Sequence, residues 1–452
     1  MGTSINGPQM RKSNICVLLS EIKNNDPLSK RDLQDRTGLS WGAISSITAM
    51  LCDKGFIVPT GKQRTNVGRK PFQLDINPND YFIIGVDLNI SGLCGVLVDV
   101  KGRVIREWMR YLTHNTYDCV MDTLTGLLDE IVGAYSDKHI CGIGLAVQGI
   151  VDSDNGISEL LPQVQNWKDV PIRKIVEERY GFPTLILHDP NCIMEAERAF
   201  GTTMLGSADN AILLRIDNGI GMSVLVDRAI YIGSNGKAGE LGHISVDRNG
   251  ALCVCGKRGC LEEYASGEGL VRRFIEQVNR GRKSAVPAYE VGLNYHMLVD
   301  AARQGDPLCL ELFRQMGEYL GFSISLLLNL FNPDLVVMYG SLADQHDLYE
   351  EAMREEIARY VYKSIPVKIQ YSGMGKNAAA QGVALAMSER VIMAFADEVI
   401  GDLSGTERVL LPLIISQNDI IRGLNKNRGA FKRYVVNSSH GGSDGRALRI
   451  SA

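Results

Sequence analysis

The stretch from Glu240 to Glu262 concentrates reactive side chains that are sparse elsewhere. It reads Glu240-Leu-Gly-His243 and then Cys253-Val-Cys255-Gly-Lys-Arg-Gly-Cys260-Leu-Glu262. Three cysteines and one histidine, spaced H-x9-C-x-C-x4-C, make the sulfur and imidazole set of a closed tetrahedral zinc site. Gly256 and Gly259 supply the tight turns that bring successive sulfurs round one ion. Buried free cysteines and a core histidine are the plainer alternative. The chain holds only 10 Cys and 7 His, so their crowding here argues for a metal. The Zn2+ expected from His243, Cys253, Cys255 and Cys260 is structural, because four protein ligands leave no position for an activated water. Two carboxylates, Glu240 and Glu262, flank the set.

The elements that position this stretch need more than one core. A chain of 452 residues implies about two or three domains. Hydrophobic content of 45% and charged content of 22% are those of a soluble globular protein. No apolar run is long enough to span a bilayer, and the first residues lack a signal peptide's apolar core. The other cysteines are scattered without a disulfide pattern, which suits a reducing cytoplasm. The net charge of -4 conceals a division: up to Asp75 there are eleven basic and six acidic residues. A basic head on an acidic body points to a polyanion partner for the head.

That head has the pattern of a winged helix-turn-helix, mostly α, over residues 1–78 with a basic linker. Ile15, Leu18, Leu19 and Ile22 recur at helical spacing. Ser29 with Asp32 forms an approximate capping box for a second helix. Thr37-Gly38-Leu39-Ser40 is a turn, and Trp41 to Lys54 is a third helix burying Ile44, Ile47 and Leu51. Short strands at Gly55–Val58 and Phe72–Leu74 complete a wing. The third helix is expected to enter a major groove by its N-terminal end, with Ser40, Trp41, Gly42, Ser45 and Ser46 facing DNA. None of these five gives a bidentate base contact of the arginine or asparagine kind. Arg69 and Lys70 are further candidates, as a basic segment lying in a minor groove. A helical protein-interaction module and a charged linker are the competing readings of these two regions.

From Tyr81 the pattern turns α/β. Tyr81–Asp87, Leu93–Asp99 and Val104–Trp108 are strands, followed by a helix from Asp118 to Ala134 and a strand from Ile140 to Val147. Similar signals recur from Asn210 to Asp227. Two lobes of like topology with a cleft between them imply an actin-like, ribonuclease-H-type ATPase fold. The expected first lobe spans 79–195, closed by a helix over 377–392. The second spans 196–376 and carries the zinc loop.

The signature Glu-x-Gly-His followed by Cys-x-Cys-Gly-x-x-Gly-Cys-x-Glu resembles that of the ROK family of repressors and sugar kinases. So do Gly142-Ile-Gly144, Gly149-Ile-Val-Asp152, Asn166-Trp167 and His188-Asp189-Pro-Asn191, and the resemblance covers about Met10 to Val391. A winged helix-turn-helix ahead of the lobes is the repressor arrangement of that family. The resemblance implies a sugar in the cleft, held by Asn166, His188, Asp189, Glu240 and Glu262. Carboxylates accept paired hydrogen bonds from vicinal hydroxyls, and an amide both donates and accepts. Asp189 matches the kinases' general base, and His188 departs from their usual asparagine.

The nucleotide side departs further. Asp87-Leu88-Asn89-Ile90-Ser91 lacks the glycine of the first phosphate loop, and Asp217-Asn218-Gly219 places a carboxylate where polyphosphate would lie. Like charges at about 4 Å cost on the order of 4 kcal/mol at an effective dielectric near 20. Tyr339-Gly340-Ser341 adds bulk on the adenosine side. The expectation is a cytoplasmic, sugar-responsive repressor, without catalytic residues of its own, binding operator DNA as a homodimer or homotetramer. Sugar closes the lobes, and the zinc loop couples the two glutamates to the dimer or the head. A working sugar kinase with a DNA-binding head, and a protein-partner sensor binding no sugar, are the alternatives. Residues 393–452 form an extension, partly disordered around Ser438–Ser443, with no assigned role.

Overall fold

A computed structural model describes residues 7–62, 72–289, 292–363, 365–366 and 368–404. The head contains helices Gly7–Lys23, Lys30–Thr37 and Trp41–Asp53. The capping box is complete: Asp32 N–H donates to Ser29 Oγ at 3.2 Å, and Ser29 N–H donates to Asp32 Oδ2 at 2.8 Å. Gly38, at φ 68°, ends the second helix in the left-handed conformation. The wing holds one strand more than expected. Leu28–Ser29 and Ile57–Lys62 both pair antiparallel with Phe72–Ile76.

Both lobes use one topology. In the first, Tyr81–Asn89, Gly92–Asp99 and Val104–Arg110 form an antiparallel meander, and His139–Val147 and then Thr184–His188 add in parallel on the other side of Tyr81–Asn89. The second repeats this with Ala211–Ile216, Ile220–Val226 and Ala229–Ile230, then Leu335–Tyr339 and Ile369–Tyr371. The strands are short, β-branched and buried, as a covered sheet requires. A ribonuclease-H-type pair of lobes, alike in topology, is thus present as expected.

The closing helix does not stop at 392. It runs from Ala378 to Ser404, and Val391, Ile392, Ala396 and Val399 continue its buried face. Its first half lies on the first-lobe sheet at very close range. A Cβ on Gly85 would stand 2.0 Å from the Ala380 carbonyl oxygen, and one on Gly382 would stand 1.8 Å from that of Cys192 in helix Asp189–Phe200, which packs beside it. Its second half meets the head. Phe395 stacks on Phe56 with ring centroids 4.0 Å apart, and Tyr81 meets Phe56 edge-on at 5.0 Å. Lys23, almost wholly buried, pairs with Glu389, and Lys101 pairs with Asp75 at 2.5 Å. Ile15, Leu19, Ile44 and Phe56 of the head therefore share one hydrophobic core with Ile83 and Val96 of the first lobe and Ala380 and Val399 of the helix.

Candidate functional sites: an inter-lobe cleft, a Cys3His cluster and a helical face

A cavity of about 580 Å³ lies between the lobes, and His188, Asp189, Glu240 and Glu262 line it. Strand Thr184–His188 delivers Asp189 to the first residue of helix Asp189–Phe200, where the helix dipole favours a carboxylate. Asp189 is buried, and Arg215, from the first strand of the second lobe, pairs with its Oδ2. His188 Nε2 lies 3.5 Å from Asp189 Oδ1. Glu262 Oε2 accepts the Ile220 N–H at 3.0 Å. Burial pushes the Glu262 carboxyl above its usual range, opposed by that N–H and by nearby His243. Glu240 stands exposed at the cavity wall.

Asn166 is not part of this wall. It is exposed, with φ 62°, in the turn before Trp167, whose indole is buried and donates to Ser158 Oγ at 2.9 Å. Asparagine tolerates this left-handed backbone, which gives the position a turn role. Gln148 and Gln163 line the cavity on the first-lobe side instead.

The three departures on the nucleotide side are bonded into networks. Asn89 Nδ2 donates to Asp87 Oδ2 at 2.9 Å, and the Ser91 N–H donates to Asn89 Oδ1 at 2.9 Å. Asp217 Oδ1 accepts the Ser341 N–H at 2.7 Å and also its hydroxyl, which in turn meets Tyr295 OH at 2.6 Å. Asn218 Nδ2 reaches across the cleft to Ser91 Oγ at 3.0 Å. Two features escaped the sequence reading. One is Arg215, a lone cation within a strand. The other is the burial of Asp87, read as a strand end and as the opening of the first phosphate loop, whose carboxyl is pushed up to about 7, mainly by burial and against the pull of Arg215.

His243, Cys253, Cys255 and Cys260 converge, with all four ligand atoms within 4.8 Å of one another. Cys255 Sγ lies 3.5 Å from Cys260 Sγ, and Cys253 Sγ lies 3.8 Å from His243 Nδ1. A tetrahedral ion with bonds of about 2.3 Å to sulfur needs edges of about 3.8 Å, so the donor set fits. The loop is shaped for it. Gly256 and Gly259 take φ of 85° and 67°, and a Cβ on Gly259 would stand 1.6 Å from the Asp247 carbonyl oxygen.

In the head, Trp41, Gly42 and Ser46 are exposed, Ser45 is half-buried, and Ile44 and Ile47 face inward. Ser40 caps the helix, its Oγ accepting the Ala43 N–H at 3.2 Å. Trp41 is 52% exposed. The five candidates thus form one outward face. Arg69 and Lys70 lie outside the described residues.

Residues 83–390 match the ROK family and 17–58 match a winged helix-turn-helix DNA-binding family. The chain belongs to the ROK family. The xylose repressor of Bacillus subtilis (strain 168) is 30% identical over 394 residues, covering 86% of this chain and 97% of that one. The DNA-binding transcriptional dual regulator NagC of Escherichia coli (strain K12) is 28% identical over 339 residues, covering 74% of this chain and 82% of its own. Among solved structures, a ROK family transcriptional regulator described as a homolog of the E. coli MLC protein superposes with a TM-score of 0.74 at 25% identity, covering 87% of this chain and 99% of the other. A ROK family glucokinase from Streptomyces griseus in complex with glucose and AMPPNP superposes with a TM-score of 0.58 at 27% identity, covering 67% and 98%. This ROK protein thus pairs the family's two-lobed body with a DNA-binding head. Among the described residues, no helix is long and apolar enough to cross a membrane.

Proposed function

We propose that this ROK protein is a sugar-responsive transcriptional repressor in which a kinase-type cleft senses the sugar and no longer transfers phosphate. The observation that carries the proposal is the continuity of one hydrophobic core from the winged head, through helix Ala378–Ser404, to the strands and helix that hold Asp87 and Asp189. Similarity to a named xylose repressor over 97% of its length, and to a named transcriptional dual regulator over 82% of its own, supports the same reading.

Asp189, His188, Glu240 and Glu262 would accept and donate hydrogen bonds to sugar hydroxyls. Asp217 and Ser341, bonded to each other, fill the phosphate side. Asp189 Oδ2 is already engaged by Arg215, so that oxygen is not free to take a hydroxyl proton. His243, Cys253, Cys255 and Cys260 would hold one zinc ion. That ion supplies a structural cross-link that fixes the segment between Glu240 and Glu262. The exposed face of Trp41–Asp53 would meet operator DNA. A single winged helix buries little DNA surface, so a symmetric dimer or tetramer is expected on the operator.

For sugar to alter DNA affinity it must bind one lobe arrangement more tightly than another. Helix Ala378–Ser404 touches both the cleft-bearing elements and the head, so it is the element that would carry the difference. The test is operator binding with and without a sugar library. The expected result is one sugar that shifts the operator Kd about 5- to 150-fold, the usual range of coupling. A sugar that stabilises the protein and leaves operator binding unchanged would refute the coupling.

A further inference from the structure

Two stretches of chain join the lobes. One leaves helix Asp189–Phe200 through Gly201-Thr202-Thr203, and the other returns from strand Ile369–Tyr371 through Ser372-Gly373-Met374-Gly375 towards helix Ala378–Ser404. Both pass one buried carboxylate. Glu197, 1% exposed, lies in the last turn of helix Asp189–Phe200. Its Oε1 accepts the Thr203 hydroxyl at 2.7 Å and the Thr203 N–H at 3.2 Å, and its Oε2 accepts the Ser372 hydroxyl. Ser372 Oγ in turn accepts the Met374 N–H at 3.1 Å. Gly201 makes room for this, because a Cβ there would stand 2.1 Å from Glu197 Oε1.

Burying a carboxylate is costly unless its oxygens are well bonded. One that only capped the turn after the helix would need Thr203 alone. Glu197 spends its second oxygen on a residue 175 positions away, in the other connection. The same helix is bonded to the second lobe at its opposite end. Asp189 pairs with Arg215, and Asn191 Oδ1 accepts the Ser223 hydroxyl at 2.7 Å. From Asp189 to Glu197 is about 12 Å along the helix axis. The helix thus reaches from the cleft floor to the place where both connections cross, and it is held to the second lobe at each end.

Lobes joined by two strands can turn or slide relative to each other, and hinges are the few positions that absorb the change. We propose that Glu197 is the pin of this joint. By holding both connections at one point, it makes lobe movement a rotation about the C-terminal end of helix Asp189–Phe200, and so acts as a positioning residue for the cleft. With the pin broken, the second connection moves independently of the first and the second lobe can slide as well as turn. The proposal goes beyond the sensing function above and holds whatever the cleft binds.

The experiment is pulsed dipolar spectroscopy of the full chain with nitroxide-bearing noncanonical residues at Asp137 and Leu330, exposed positions of the first and second lobe. Glu197→Gln keeps one acceptor oxygen and loses the other. Ser372→Ala removes the matching hydroxyl. Each releases the second connection alone, so both should broaden the interlobe distance distribution, and to a like extent. A label pair within the first lobe, at Asp137 and Lys174, should keep its native distribution in both variants. A carboxylate that merely stabilises the fold would lower Tm and leave the interlobe distribution at its native width, and that result in either variant overturns the proposal. Broadening of the pair within the first lobe overturns it as well, because the lobe itself would then have loosened. Ser372→Ala removes a single oxygen, so it decides the matter alone should the Glu197 variant fail to fold.

Discussion

Phe395→Ala should disconnect the head from the cleft while leaving both intact. Phe395 lies in the second half of helix Ala378–Ser404, stacked on Phe56 at 4.0 Å and edge-on to Tyr81 at 6.2 Å. Phe56 belongs to the head and Tyr81 opens the first-lobe sheet, so the ring fills the seam between them. Truncating a fully buried phenylalanine costs about 3–5 kcal/mol, and an aromatic pair adds about 0.5–1.5 kcal/mol beyond burial. Phe395 is only half-buried, so a docking loss of about 2 kcal/mol is expected. Coupling between two sites is typically about 1–3 kcal/mol. The substitution therefore removes an amount comparable with the whole signal. The assay is operator Kd by fluorescence anisotropy, with and without the effective sugar. The ratio of the two should fall towards one, while sugar affinity and metal content stay at native values. Leu330→Ala is the control, on a second-lobe residue that is 77% exposed. A Phe395→Ala chain that keeps the full native ratio would sink the claim that this helix carries the signal.

Three further outcomes are expected. Metal analysis of fresh protein should find about one zinc per chain, and Cys255→Ser should lose it together with thermal stability; fresh protein free of zinc would refute the assignment. No sugar in a phosphotransfer panel should support ATP turnover, and turnover that Asp189→Asn abolishes would establish a kinase instead. The third concerns Asp87, whose folded pKa of about 7 lies above its ordinary 3.8. Between those values the native state keeps a proton that the unfolded chain has released, so stability falls as pH rises through that window and levels off above it. Asp87→Asn should then raise Tm more at about pH 8 than at about pH 5, and an equal change at both would count against the buried acid.

Local chemistry was legible in the sequence. The Ser29–Asp32 capping box, the Gly38 turn and the cysteine spacing each lie within a few residues, and each is fixed by the backbone geometry it serves. Continuous apolar runs marked the strands of both lobes, and recurrence of that pattern marked the cleft between them. The two-residue strand Leu28–Ser29 was not legible, because a pattern of period two needs more length to show. Asn166 was misplaced for a related reason. A motif carries the order of residues, whereas the left-handed backbone at Asn166 decides where its side chain goes.

The largest feature the sequence reading missed was the packing of the head on helix Ala378–Ser404. Its signal was present as Val391, Phe395 and Val399 at helical spacing, beyond the point where the family pattern ends. What that stripe packs against is non-local. Lys23 and Glu389 are separated by 366 positions, and Phe56 and Phe395 are comparably distant in the chain. A buried lysine is tolerated only with its partner in place, so the Lys23–Glu389 pair fixes how the head sits on the helix as well as that it sits there. The same logic applies on the cleft floor, where Arg215 is uninformative alone and decisive beside Asp189 and Asp217. In both places one charge from a distant segment sets what its neighbours can do: at Glu389 it fixes the seat of the head, and at Arg215 it ties Asp189 of the first lobe to Asp217 of the second.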